Sequence, residues 1–468
     1  MDITVIGGGY VGLISAVCFC EFGYNVSLVE LDAKRYENLK AGKTDVYEPG
    51  LLQAIERNMQ SGMLDVSDDV ASPVADVDAV FIAVAAAHPG EPDTDLSNLY
   101  DAMRRVMLSL PRERYTGVFL KTSVPVGTCT TILENFRFTR PDLLPGKHFD
   151  LISNPGFLRE GSAIHDFLNP NRVIIGLENC DPKPSKKARE LIDQVYAPLI
   201  NLNVPFIYAN FPTAELIRSA SISFLATKMA FVNEMASLCD LVGADIDAVI
   251  RGMALDQGIS ARSFQISPGI GGSSFPRTVR TLRDTARLMG TDLTVLDGVL
   301  ESNSKWTEGI TNRILSLLKD DESLSEKQVS IWGLAFKPNT NDVNESPSVS
   351  VIQGLLQTGV TVALWDPLFL PGSQNLWRVP KDILDHRNFS LRDSAYDAAS
   401  QGDILVIMTN WSEIVSLDYN KIYALVNKYH GRKPIILDYR NMFTQAELPK
   451  FMYIPQGHAP PLARTAIK

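Results

Sequence analysis

The chain is predicted to be an α/β protein with two doubly wound units joined by a long central helix. Three observations carry that prediction. Residues 3–30 run through a short apolar strand, a glycine-rich turn, a helix of small apolar residues and a second strand ending in an acid. Mid-chain, Ala214 to Val242 contains no Gly or Pro and sets apolar residues near helical spacing. After the charged run Asp320–Lys327, a second strand–helix–strand alternation begins. Strands alternating with helices call for a parallel sheet covered on both faces.

In the first unit, Ile3–Ile6 is the strand and Gly7-Gly8-Gly9-Tyr10-Val11-Gly12 the turn, matching G-x-G-x-x-G. Leu13–Phe22 is the helix, and Asn25–Val29 with Glu30 is the second strand and its terminal acid. Glycines at these places make a tight turn and admit a pyrophosphate to the helix N-terminus. A carboxylate at the end of the second strand accepts from a ribose 2′-OH, which favours NAD over NADP. Gly7, Gly9, Tyr10, Val11, Gly12 and Glu30 are therefore the expected cofactor-binding residues of a Rossmann-like domain. A glycine turn that has lost its ligand is the plain alternative. Further strands fall at Ala79–Val84, Gly117–Lys121 and Phe149–Ile152, and Ala85-Ala86-Ala87 follows one strand end without polar side chains.

On the long helix, Leu216, Phe224, Leu225, Met229, Val232 and Met235 are expected as core positions. Helical segments Ile246–Met253 and Val279–Leu300 enclose the glycine-rich loop Pro268–Thr278. In the third part, Val329–Leu334, Val360–Pro367, Asp403–Met408 and Pro434–Asp438 are strands and Pro347–Leu356 a helix. This part lacks the glycine fingerprint, so it binds something other than a dinucleotide, or nothing. The expected domains are 1–200 (NAD-binding), 201–310 (central, helical, dimerising, carrying the reaction loop) and 320–450 (Rossmann-like), with 451–468 as a tail.

The bounds are those of an ordinary globular protein: 468 residues, 45% hydrophobic and 21% charged. A formal net charge of −10 argues against nucleic-acid or anionic-membrane binding. No apolar run is long enough to span a bilayer, and no basic leader precedes the first strand. Five scattered cysteines, without zinc-ligand pairing, place the chain in the reducing cytoplasm with no metal.

Several motifs together give a resemblance to the UDP-glucose/GDP-mannose (nucleotide-sugar) dehydrogenase family. They are Gly7–Gly12, Tyr47–Leu51, Ser123–Thr128, Asn154–Gly161, Asn169–Gly176, Gly333–Thr340 and Asp438–Asn441. The resemblance spans almost the whole chain. It implies a homodimer, an N-terminal NAD domain, a central helical domain and a C-terminal nucleotide-sugar domain. It also implies oxidation of a sugar C6 alcohol to a carboxylate by two hydride transfers, with a cysteine thiolate capturing the intermediate aldehyde. Lys337, Arg440, Phe157 and Leu158 match substrate-binding positions, and Ser123 matches a hydroxyl near the reacting centre.

The reacting constellation departs from the family pattern. Ser274 stands where the family has its cysteine, Thr278 where it has an acid, and Gly156 where it has a glutamate. Arg218 and Ile222 replace a lysine and an asparagine, Arg277 replaces a lysine, and Gly258 and Asn344 replace arginines. Ile270 replaces an aromatic residue and Ala85–Ala87 a Gly-Thr-Pro turn. A serine hydroxyl stays protonated at neutral pH, whereas a thiol can be tuned to thiolate. Cys129 and Cys239 are expected to be structural. These departures lead to the expectation of a repurposed oxidoreductase, with Ser274, Arg218, Arg277 and Ser123 forming a new catalytic donor cluster. The alternatives are a non-catalytic protein that binds NAD or a nucleotide sugar as partner or regulator, and a non-redox catalyst.

Overall fold

The protein was analysed as a computed structural model that describes residues 1–84, 95–178, 185–259, 264–318, 323–426 and 433–458. The chain divides into two compact units, residues 1–221 with 284–289 and residues 222–283 with 290–468.

The first unit is built on eight strands: β1 (Asp2–Ile6), β2 (Asn25–Val29), β3 (Leu64–Ser67), β4 (Ala79–Ile82), β5 (Thr116–Leu120), β6 (Phe149–Ser153), β7 (Val173–Leu177) and β8 (Phe206–Asn210). Their order is β3-β2-β1-β4-β5-β6-β7-β8. All neighbours are parallel except β6 and β7, which meet antiparallel at Ser153 and Gly176. Ile6 is level with Val29 on one side and with Ile82 on the other. The strand order reverses between β1 and β4, so the turn after Ile6 opens at the switch point where such sheets bind ligands. Phe81 and Phe119 stack with ring centroids 4.5 Å apart, and Phe19 packs onto Phe81. The core therefore lies directly beneath the first helix, Tyr10–Glu21.

The second sheet has six strands: β9 (Gln328–Trp332), β10 (Thr361–Trp365), β11 (Phe389–Leu391), β12 (Ile404–Ile407), β13 (Ile435–Asp438) and β14 (Met452–Pro455). All pairs are parallel, in the order β11-β10-β9-β12-β13-β14. Thus both expected sheets are present, and the long helix Phe211–Val242 joins the units.

Several expectations need correction. β14 lies within the expected tail, because Ile436, Leu437 and Asp438 offer an open edge to Tyr453, Ile454 and Pro455. Helix Val279–Leu300 is two helices, Phe275–Leu288 and Thr294–Leu318, parted at Gly290 with its positive φ of 82°. On the long helix, Val232 is buried, but Leu216 and Phe224 are exposed rather than core. Strands β3, β7, β8 and β11 are additional to those expected; β3 and β11 are only four and three residues long, and β8 and β11 are only partly buried, while β7 is fully buried. Ala85–Ala87 and Cys180 lie outside the described residues.

Candidate functional site

In the first unit, the turn after β1 is shaped for an anion. Gly7 takes a φ of 105° and donates its N–H to Val29 O at 2.8 Å. A Cβ on Gly12 would lie 1.7 Å from Gly7 O, so only glycine allows the helix to start there. Nothing lies within 4 Å of a Cβ built on Gly9, which leaves the outer face of the turn open. The amides of Tyr10, Val11 and Gly12 begin the helix and have no acceptor within it. Glu30 is buried behind the turn, accepting Gly8 N–H at 3.0 Å and Asp32 N–H at 2.8 Å. Arg35 reaches the same carboxylate at 3.1 Å. A carboxylate has about four lone-pair sites, so capacity remains for a ribose hydroxyl. The open glycine face, the free amides and the fixed acid fit a dinucleotide.

A second group gathers around Arg218, on the long helix. Its guanidinium donates to Ser123 Oγ and to the carbonyl of Gly156. The Phe157 ring lies between two cations, with Arg172 3.9 Å and Arg218 5.6 Å from its centroid. Burial, then the neighbouring Arg172, pushes the Arg218 guanidinium down to about 10, which leaves it charged at neutral pH. Glu215, Ser123 and Arg218 line one small void of about 10 Å³. Leu158 packs onto the sheet core nearby. Ser123, Arg218 and Phe157 thus form one cationic donor cluster.

In the second unit, the glycine-rich loop runs into helix Phe275–Leu288 with Ser274 directly before it. Ser274 is half-buried, and its carbonyl accepts from Thr278 N–H at 3.0 Å and Thr278 Oγ1 at 2.8 Å. Arg277 lies in the first turn of the same helix and is half-buried. The loop packs on the segment after β9: a Cβ on Gly272, whose φ is 91°, would meet the Phe336 ring at 2.8 Å. Lys337 follows, with Nζ 5.5 Å from that ring. Arg440 is buried after β13, donating to Phe336 O at 2.7 Å and Met408 O at 2.8 Å. Burial pushes its guanidinium down to about 10. Lys337 and Arg440 therefore converge on Phe336, against which Gly272 of the loop also packs. Asp366, the counterpart of Glu30, is fully buried and accepts Leu334 N–H at 2.8 Å, Ala335 N–H at 3.2 Å and Trp411 Nε1–H at 3.0 Å. Leu368 N–H reaches it too, at 3.0 Å, so its roughly four acceptor sites are filled within the unit.

From N-terminus to C-terminus, the chain matches three successive domains of one family. They are the NAD binding domain over residues 1–200, the central domain over 212–305 and the UDP binding domain over 330–445 of the UDP-glucose/GDP-mannose dehydrogenase family. The chain belongs to this family. It is 35% identical over 460 residues to a UDP-glucose 6-dehydrogenase of Rhizobium meliloti, covering 98% of this chain and 99% of that one. It is 33% identical over 463 residues to UDP-glucose 6-dehydrogenase TuaD of Bacillus subtilis, covering 99% and 94%. Among solved structures, a UDP-glucose dehydrogenase from Pyrobaculum islandicum superposes with a TM-score of 0.80 at 29% identity, over 98% of each chain.

As a member of this family, the chain has NAD as its cofactor, and the family binds a nucleotide sugar. Among the described residues, no helix is long and apolar enough to cross a membrane. The similarity overturns the expectation of an enzyme with an altered reaction, and equally its alternatives of a non-catalytic binder and a non-redox catalyst. It runs at about 35% identity over nearly the full length of proteins named UDP-glucose 6-dehydrogenase, which favours an ordinary dehydrogenase.

Three residues around these groups were not recognised as such from sequence. Glu48 is buried and accepts Tyr10 OH at 2.5 Å, Gly161 N–H at 2.6 Å and Ala163 N–H at 2.7 Å, tying the dinucleotide helix to the Asn154–Gly161 motif. Glu215 accepts Gly127 N–H at 2.6 Å and Cys129 N–H at 2.8 Å, and burial raises its pKa. Lys121 donates to Asn154 Oδ1 at 3.0 Å from a buried position. Two lie inside quoted motifs or strands, and their signal was an ionisable residue among apolar ones. The described cysteines are all buried. Burial and Glu215 raise the Cys129 thiol well above its ordinary range, which keeps it protonated. Asp245, Asp247 and His458 bring ligand-type atoms within 4.8 Å of one another, with the His458 ring nitrogens 3.7 Å from Asp245 Oδ1 and 3.4 Å from Asp247 Oδ2.

Proposed function

We propose that this chain is an NAD-dependent dehydrogenase that oxidises the C6 alcohol of UDP-glucose to the carboxylate. The observation that carries this reading is the similarity over nearly the whole chain to proteins named UDP-glucose 6-dehydrogenase. Bound NAD accepts the hydride from the sugar carbon in each of the two oxidations. The turn Gly7–Gly12 holds its pyrophosphate through the free amides, and Glu30 takes a ribose hydroxyl. Lys337 and Arg440 hold the nucleotide sugar in the second unit.

In the first unit, Arg218 with Ser123 presents a cationic donor pair of the kind that stabilises developing negative charge. Position 274 offers an oxygen where the family resemblance places a thiol. Ser274 O–H adds across the aldehyde, forming an Oγ–C bond and passing its proton to the carbonyl oxygen. Loss of the second hydride from that carbon to NAD, and of the adduct's hydroxyl proton to water, leaves an ester. Water cleaves the ester, releasing the acid and restoring the hydroxyl. Arg277, in the first turn of the helix that Ser274 leads into, offers a cation to the oxygen of that adduct.

The long helix supports a homodimer. Phe224, Phe231 and Leu238 recur every seven residues on it and are 64%, 42% and 48% exposed, an apolar stripe that a second copy would cover.

The test is stoichiometric. Purified protein with UDP-glucose and excess NAD is expected to form two NADH per sugar consumed, with the nucleotide-linked acid identified by mass. Ser274→Ala is expected to stop at one. Measurable NAD binding with no NADH from UDP-glucose would refute the reading.

A further inference from the structure

The reaction loop is held from outside: Ile270 N–H and carbonyl pair with the Asn303 side chain at 2.6 and 3.3 Å, and the amides of Gly272 and Ser273 go to the segment that follows β9. Asp342 is buried there, 6% exposed. Its Oδ2 accepts the N–H of Ser273 at 2.8 Å. Its Oδ1 accepts both the backbone N–H of Asn344 at 2.9 Å and the Asn344 side-chain amide at 2.6 Å. The Asp342 N–H donates to Thr340 Oγ1 at 3.1 Å, and its carbonyl accepts Phe336 N–H at 3.2 Å. One residue earlier in the loop, Gly272 N–H donates to Asn344 O at 2.9 Å. Two consecutive loop amides, those leading into Ser274, therefore end on Asp342 and Asn344.

The shape of the loop reinforces this attachment. A Cβ on Gly271 would lie 2.7 Å from Glu345 O, and one on Gly272 would strike the Phe336 ring. The loop backbone is pressed against the segment and cannot slide along it. That segment also carries Phe336, whose carbonyl accepts from Arg440.

We infer that Asp342 is a positioning residue for the reaction: its carboxylate fixes the peptide leading into Ser274 and ties the reaction loop to the segment that bears Phe336 and Lys337. A carboxylate accepting several N–H groups in a buried site is a strong and directional anchor. Removing it leaves Ser273 N–H and the Asn344 amide without their acceptor. The consequence for turnover rests on the dehydrogenase reading; the consequence for loop order does not.

The experiment uses the full chain as Asp342→Ala and Asp342→Asn, with hydrogen exchange of residues 268–276 followed by mass spectrometry and steady-state kinetics with NAD and UDP-glucose. Asp342→Ala is expected to speed exchange at this loop at least about tenfold. It is expected to lower kcat about 30-fold or more, while KM for NAD stays within about threefold. Asp342→Asn keeps one acceptor oxygen and is expected to fall between wild type and alanine in both readouts, which also covers failure of the alanine variant to fold. Unchanged loop exchange in a folded variant overturns the inference. So does accelerated exchange with unchanged kcat. A wild-type protein without turnover refutes the dehydrogenase reading, and the exchange result then decides the loop anchor by itself.

Discussion

Lys121 stands at the C-terminal end of β5, 7% exposed, in a setting built for an uncharged group. Its Nζ has Asn154 Oδ1 at 3.0 Å, the Phe167 ring centroid at 5.0 Å and the Tyr196 centroid at 6.0 Å. Burial pushes the amine down from 10.5 to about 7, with Arg218 adding repulsion and the Cys18 thiol opposing it. The unfolded chain keeps its proton up to about 10.5, so between about pH 7 and 10.5 it binds more protons than the folded chain. Stability therefore rises with pH across that window. Below it, the folded protein carries the full cost of a buried ammonium. At about 1.4 kcal/mol per pH unit, that cost is about 5 kcal/mol.

Lys121→Met removes the charge at similar volume. It also removes one hydrogen bond, worth about 1 kcal/mol. Asn154 Oδ1 is not orphaned, because Tyr196 OH donates to it at 2.5 Å. At pH 6 the variant is expected to be more stable by about 3–4 kcal/mol, or roughly 10 °C in the melting of a unit this size. The advantage is expected to shrink by about 1.4 kcal/mol per pH unit above pH 7 and to vanish near pH 10. Thermal melts of both proteins at pH 6, 7.5 and 9 check this. An equal difference at pH 6 and pH 9 would show that Lys121 does not lose its proton on folding, and the reasoning fails.

Gly12→Ala places a methyl 1.7 Å from Gly7 O; NAD affinity by calorimetry is expected to fall more than about 100-fold through loss of the turn. Glu48→Ala leaves three donors, from Tyr10, Gly161 and Ala163, without their acceptor. A loss of about 3 kcal/mol or more is expected in urea unfolding. Phe231→Asp puts a charge in the apolar stripe of the long helix; light scattering is expected to show a shift from dimer to monomer.

The fold was legible because its signals are local. The strand, turn and helix at residues 2–21 and the uninterrupted run to Val242 each state their structure within one window. What escaped were contributions whose meaning depends on distant partners. β14 reads as tail until β13 supplies an edge. Glu48 sits 113 positions from Gly161, whose amide it accepts, and no spacing rule connects them. Phe224 is apolar at helical spacing, yet whether that face meets its own core or solvent is a property of the packing.

The departures from the family pattern, taken together, read as loss of the family's reaction, and the near-full-length similarity to proteins named UDP-glucose 6-dehydrogenase overturns that reading. In the structure the departures are mutually satisfied. Gly156 brings no carboxylate, but its carbonyl takes the Arg218 guanidinium, which also reaches Ser123 Oγ. A Cβ at Gly156 would meet only ordinary contacts, Leu158 Cγ and Lys121 Cε at 3.7 Å, so the glycine is not forced by space. Thr278 brings no acid, but its hydroxyl closes on the Ser274 carbonyl. Neither Arg218 nor Ser123 leaves a buried polar atom without a partner among the described residues. A site decaying without selection for chemistry accumulates orphaned polar groups, each costing about 1–3 kcal/mol. The Arg218 guanidinium meeting Ser123 Oγ and the Gly156 carbonyl is the opposite: a charged cluster whose donors and acceptors are paired.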